Sequence, residues 1–270
     1  MKNEFTKRAS SGLIFVIIVL ASIWYGAATY ISLLGILMLI GLYEFSKMAV
    51  SDNLERFGIM YPISISIFMY GLSSYLNMHP KFFELLIYLL VFIVFIIELK
   101  KESPNPYKNL GNLFLSIIYI AVPLTLASRI PFFKGEYHYE IILSVFILIW
   151  ANDSFAYLIG KNFGKTKLIE RISPKKTVEG FVGGLVLTYL VGFALSLYFD
   201  VFTLTQWFII TNIVGIFGVL GDLVESMFKR KVTIKDSGKF MPGHGGMLDR
   251  FDSFLFTAPF IYIFTQLIQL

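Results

Sequence analysis

The chain is a succession of apolar stretches broken by short polar ones. Nine runs stand out, at 11–27, 29–46, 58–77, 82–98, 110–130, 141–160, 178–199, 206–226 and 252–270. A helix needs about 20 apolar residues to cross a bilayer core of about 30 Å, so the pattern predicts about nine transmembrane helices. The first two runs meet at a bend near Gly26 and read as two short spans or a re-entrant pair. Pro123 and Pro259 fall inside runs and should kink them. Gly180, Gly183 and Gly184, like Gly215, Gly218 and Gly221, read first as sites of tight helix packing.

Composition narrows the class. Hydrophobic residues make up 56% of the 270 and charged residues 15%, against about 25% charged in soluble domains; mean hydropathy is +0.72. A disordered chain, a coiled coil and an ordinary cytosolic globule are excluded. An all-α polytopic integral membrane protein with no soluble domain is expected.

The 23 basic residues are unevenly spread. Lys81, Arg129 and Lys134 alone fall on one side of the nine-span arrangement; the rest fall at the N-terminus and in 47–57, 99–109, 161–177 and 227–251. The positive-inside rule puts that richer set in the cytoplasm, N-in and C-out. Lys2, Lys7 and Arg8 before an apolar run also suit a signal peptide. No clean cleavage site follows and a second hydrophobic run comes directly after, so the segment is read as retained. The Pro-Asn-Pro at 104–106 separates N-terminal helices (1–109) from a central helix and outer loop (110–140) and a C-terminal catalytic region (141–270). The long cytoplasmic loops of that last region, 161–177 and 227–251, have room for a polar site.

Candidate chemistry follows from what is missing and what is misplaced. Cysteine is absent, and His79, His138 and His244 are far apart. A His/Cys zinc site is therefore not expected, and a bound metal should be a hard ion held by carboxylates. Ionisable groups inside spans are costly and usually functional. Asp153 lies in the sixth run and Asp222 in the eighth, and Glu225 and Ser226 share a helix face with Asp222. Asp249 and Asp252, at i and i+3 beside Arg250, open the ninth run. N-terminal capping accounts for one of them; two on one face, with Asp222 near, point to Mg²⁺. Asp222, Asp249, Asp252, Ser226 and Asp153 are the candidate ligands. The glycine-rich 235–246 segment, with Gly245 and Gly246, could turn N–H groups toward an anion. Ser173-Pro174-Lys175-Lys176-Thr177 is either a topology signal with Thr177 as N-cap or a phosphate clamp at a helix start. Carboxylates, lysines and a glycine nest at one leaflet are equipment for phosphoryl or nucleotidyl transfer.

These stretches resemble a known family. Ser226-Met227-Phe228-Lys229-Arg230, then Lys235-Asp236, then Pro242 to Asp252 (PGHGGMLDRFD) is similar to the signature of phosphatidate cytidylyltransferases, the CDP-diacylglycerol synthases. Asn152-Asp153-Ser154-Phe155-Ala156-Tyr157 and Ser173 to Gly180 look like the same family, which often has Trp where Val178 stands. The resemblance covers about 150–260; the first 140 residues match only in hydropathy. It implies cytidylyl transfer from CTP to phosphatidic acid in phospholipid biosynthesis, Mg²⁺ dependence with one metal ion or two, a multi-pass protein of the cell inner membrane, and a homodimer, with 110–140 a candidate contact. No nucleic-acid partner is expected. The roles carried over are catalytic for Asp249, Asp222, His244 and Lys239, and substrate-binding for Lys175, Lys176, Lys229, Arg230, Lys235, Gly245, Gly246 and Arg250. A CTP-dependent polyprenol or phytol kinase is the nearest rival. An ion-coupled transporter using Asp153 and Asp222 is a rival of another class, disfavoured because polarity gathers at one face and in the C-terminal half.

Overall fold

The computed structural model describes residues 2–49, 60–73, 78–100, 104–238, 240 and 245–270, without the side chains of 2–9 and 49. Among them each predicted run is helical: α1 (Lys2–Tyr25), α2 (Ala27–Ala49), α3 (Met60–Leu72), α4 (Pro80–Lys100), α5 (Pro106–Ser116) continuing into α6 (Val122–Arg129), α7 (Tyr139–Phe163), α8 (Val178–Tyr198), α9 (Leu204–Lys231) and α10 (Leu248–Leu267). Six are long and apolar enough to cross a membrane: 27–48, 80–100, 106–129, 139–163, 178–198 and 204–231. Ser10–Tyr25 and Met60–Leu72 are apolar but shorter. The ninth run is helical, but α10 is not among those six, and it opens on Asp249, Arg250 and Asp252. This is a helical membrane protein.

The breaks have local causes. Gly26 separates α1 from α2 at φ 124°, a backbone conformation that glycine adopts without strain. Asn105 caps α5, its side chain accepting from the Lys108 N–H at 3.1 Å, and Pro106 occupies the first turn, where its missing N–H costs nothing. The kink expected at Pro123 takes the form of a π-helical turn over Ile117–Ala121. The proline ring would meet the carbonyl four residues back, that of Tyr119, and the wider turn makes room. Helix α10 runs through Pro259 without a break.

Two hairpins depart from an all-helical reading. Phe132–Phe133 (β1) pairs with Glu136–Tyr137 (β2) across a turn in which Lys134 and Gly135 both have positive φ. Lys167–Ile169 (β3) pairs with Ser173–Thr177 (β4). The Ser-Pro-Lys-Lys-Thr segment is therefore a strand leading into α8, and only Thr177 caps the helix, accepting from Gly180 N–H at 3.1 Å.

One hydrophobic core runs from Val19 in α1 to Ile261 in α10. Membrane helices lack a hydrophobic drive toward each other, so small residues matter at their contacts. A Cβ on Gly184 would lie 2.8 Å from Ala156 Cβ, and one on Gly180 2.7 Å from the Ala156 carbonyl. Helices α7 and α8 thus touch backbone to backbone beside Asp153. A Cβ on Gly221 would lie 2.5 Å from the Asp252 carbonyl oxygen, so α9 also meets the backbone of α10 at a residue that carries a carboxylate. By contrast Val182, Val186, Leu190, Phe193 and Leu197 form an exposed apolar stripe along α8, as a lipid-facing surface requires.

Candidate active site

The site is assembled where α9 and α10 cross. Asp222 and Glu225, one turn apart on α9, and Asp252 in the first turns of α10 offer carboxylate oxygens that all lie within 4.8 Å of one another. Three like charges this close repel unless a cation or protons neutralise them. Glu225 is fully buried, and its Oε1 has no hydrogen-bond partner among the described residues. An orphaned buried acceptor in a carboxylate cluster suits a divalent cation with oxygen ligands. Ser226 adds a hydroxyl that donates to Asp222 Oδ1 at 3.3 Å.

Lys229, one turn beyond Glu225, donates to Glu225 Oε2 and to Asp249 Oδ1, both at 2.6 Å. Its ammonium bridges Glu225 on α9 and Asp249 in the first turn of α10. Asp249 Oδ2 accepts from the N–H of Gly246 (2.7 Å), the N–H of Ser237 (2.8 Å) and the Ser237 hydroxyl (3.0 Å). Burial pushes the Asp249 carboxyl up, but Lys229 and those backbone donors outweigh it and hold it below the usual range. Asp249 thus lies outside the trio and ties the glycine-rich loop to α9. Gly245 takes φ 88° to let this happen.

The N–H groups of residues 246–248 are therefore engaged. Gly246 N–H serves Asp249, and the N–H groups of Met247 and Leu248 serve Glu44 of α2 at 3.0 and 3.1 Å. The described part of the glycine nest binds the protein's own carboxylates. Lys239 and His244 lie outside the described residues. Lys235 and Arg250 have exposed side chains, and Arg230 Nε donates to the Ile172 carbonyl at 3.4 Å, fastening α9 to the β3–β4 hairpin.

Beside the trio a cavity of about 530 Å³ opens between α7, α8 and the hairpin. Asp153, Lys161, Lys167, Lys175, Lys176 and Asp222 are among its lining residues. Lys176 forms an ion pair with Asp222, so that carboxylate belongs to the trio and to the cavity wall at once. Four lysines in one concavity suit a polyanion.

Glu44, Tyr119, Lys161 and Lys167 were not singled out by sequence reasoning. Glu44 carried a signal, an acid inside an apolar run. Tyr119 sits on the π-helical turn, its hydroxyl buried without a hydrogen-bond partner among the described residues, and Pro123 four residues on was the hint. Lys161 and Lys167 counted only as topology charges.

Fold and site together define a helical membrane protein that gathers acidic and basic groups around one cavity. The profile of the cytidylyltransferase family matches residues 6–268, and the chain belongs to that family. A phosphatidate cytidylyltransferase of Staphylococcus haemolyticus is 35% identical over 263 residues, covering 95% of this chain and 97% of that protein. One of Bacillus subtilis is 42% identical over 162 residues, 60% of each chain. One of Staphylococcus aureus is 52% identical over 128 residues, 47% of this chain, and the match spans about half (48%) of that relative's length.

Proposed function

We propose that this protein transfers the cytidylyl group of CTP to phosphatidic acid, giving CDP-diacylglycerol and pyrophosphate. The observation that carries the reading is the carboxylate trio of Asp222, Glu225 and Asp252 beside a lysine-lined cavity. The full-length relative named for this activity supports it.

The chemistry joins two anions. A phosphate oxygen of the lipid attacks the α-phosphorus of CTP; the new P–O bond forms as the α–β bridging P–O bond breaks, and pyrophosphate leaves with the electron pair. The attacking phosphate is already ionised, so no strong general base is needed. Charge neutralisation and in-line alignment are the main requirements. Asp222, Glu225 and Asp252 would hold Mg²⁺, one ion or two, with Ser226 and Asp153 at the margin. Bound there, Mg²⁺ supplies Lewis-acid stabilisation of phosphate charge. Lys161, Lys167, Lys175 and Lys176 hold the triphosphate and the lipid phosphate, and Lys176 exchanges its Asp222 partner for substrate as the cavity fills. Arg230 keeps the hairpin against α9, and Asp249 with Lys229 holds Ser237 and Gly246 of the glycine-rich segment, next to Arg250 in the first turn of α10; Lys235, Lys239, His244 and Arg250 remain substrate-binding or catalytic candidates from the family resemblance.

The protein crosses a bacterial inner membrane nine times, N-in and C-out, with this site at the cytoplasmic leaflet and a second copy as its partner. Radiolabelled CTP incubated with phosphatidic acid and the purified protein tests the activity. CDP-diacylglycerol and pyrophosphate are expected; CDP with a phosphorylated lipid would instead mean a kinase.

A further inference from the structure

We infer that Glu44, in the N-terminal half of the chain, is a positioning residue for the catalytic carboxylates. The inference rests on the activity proposed above. Glu44 lies on α2 with 4% of its surface exposed, inside an otherwise apolar run. A buried carboxylate needs several good partners to be tolerated, and among the described residues Glu44 finds them at the far end of the sequence. Its Oε1 accepts from Met247 N–H at 3.0 Å, and its Oε2 from Leu248 N–H at 3.1 Å. The Ser237 hydroxyl stands 3.3 Å from Glu44 Oε2 and 3.0 Å from Asp249 Oδ2. A Cβ on Gly238 or Gly246 would run into the Glu44 carboxylate, so the glycines close around it.

The consequence is geometric. Met247 and Leu248 are the first residues of the turn that projects Asp249 and Asp252. Glu44 fixes that turn from another helix and, through Ser237, shares a hydrogen-bond network with Asp249, Lys229 and Glu225. Without it the Met247 and Leu248 N–H groups at the start of α10 lose their acceptor and the turn loses its hydrogen-bonded restraint from α2. Small displacements of reacting groups cost rate steeply, on the order of a hundredfold per ångström. Glu44 touches no substrate in this account; it acts through the start of α10.

Glu44→Gln in the full-length protein, purified in detergent, tests this. The substitution keeps the shape but replaces one acceptor with a donor facing an N–H. The expected result is a fall in kcat of about a hundredfold with KM for CTP changed less than about threefold, partly restored in Glu44→Asp. Hydrogen–deuterium exchange of the same samples, without substrate, should show faster exchange confined to 245–252. Gly246→Ala, which presses a methyl group on the same carboxylate, should reproduce both effects. Wild-type kcat in folded Glu44→Gln, or unchanged exchange over 245–252, would overturn the inference. A wild-type protein that makes no CDP-diacylglycerol would overturn the proposed activity instead, while the exchange measurement would still decide the role of Glu44.

Discussion

Asp249 and Glu225 exchange the weights that their sequence contexts suggest. Asp249 stands in the glycine-rich segment and draws attention as a ligand, yet its oxygens are taken by Lys229, Gly246 and Ser237. Glu225 could be mistaken for one more acid near a helix end, yet it is buried in the trio with one oxygen that has no hydrogen-bond partner among the described residues. Replacing Glu225 by Gln should lower turnover at least about a hundredfold in protein that still folds, because it removes a charge from the trio; unchanged turnover would take Glu225 out of the site. Replacing Asp249 by Asn should cost stability as well, on the order of 3 kcal/mol, since it leaves a nearly buried Lys229 short of one partner. A thermal melt in detergent separates the two variants. Because the folded carboxyl of Asp249 titrates below its ordinary range, this stabilisation is present above the unfolded pKa and is lost as pH falls through the folded one. The shared helix face of Asp222, Glu225 and Ser226 was legible from their spacing, although Glu225 was not among the candidate ligands. Glu44 carried the signal of an acid in an apolar run, but its role was hidden because its partners lie about two hundred positions away, and no local pattern reports such a pairing.

Helices bring the charges together, and their approach depends on what is missing at the contacts. Gly221 permits the Asp252 backbone to lie against α9. Gly221→Ala should separate α9 from α10 and reduce turnover at least about tenfold, an overpacking effect, while the α7–α8 contact stays intact; full activity would show the crossing is slack. The glycine triplets announced tight packing in the sequence, though not which helix each would meet. The hydrophobic runs foretold the helices among the described residues, since length and apolarity report directly on burial or lipid contact. The β3–β4 hairpin escaped because Pro174, Lys175 and Lys176 are poor strand formers, held there by pairing with 167–169 and by Glu179, which accepts from Lys165 and Thr166 N–H at 3.0 Å. That hairpin presents Lys175 and Lys176 to the cavity from its edge, a geometry a helix start would not give.

At the scale of the whole molecule, hydropathy and charge bias define the class, and long-range contacts define the site. The N-terminal helices look dispensable to the chemistry in sequence, but the core is continuous and Glu44 reaches from them into the loop. The absence of cysteine makes topology directly testable. Single cysteines at Lys134 and Arg171, probed with a membrane-impermeant maleimide on intact cells, should label only at 134, with 171 reacting after permeabilisation. Labelling of both from outside would refute the proposed orientation. Metal-dependent cytidylyl transfer by the trio is tested by the product formed from labelled CTP and phosphatidic acid by the purified protein, with and without EDTA. CDP-diacylglycerol and pyrophosphate are expected in equal amounts, abolished by EDTA and restored by excess Mg²⁺. Transfer that persists undiminished in EDTA, or label appearing only as CDP, would contradict it.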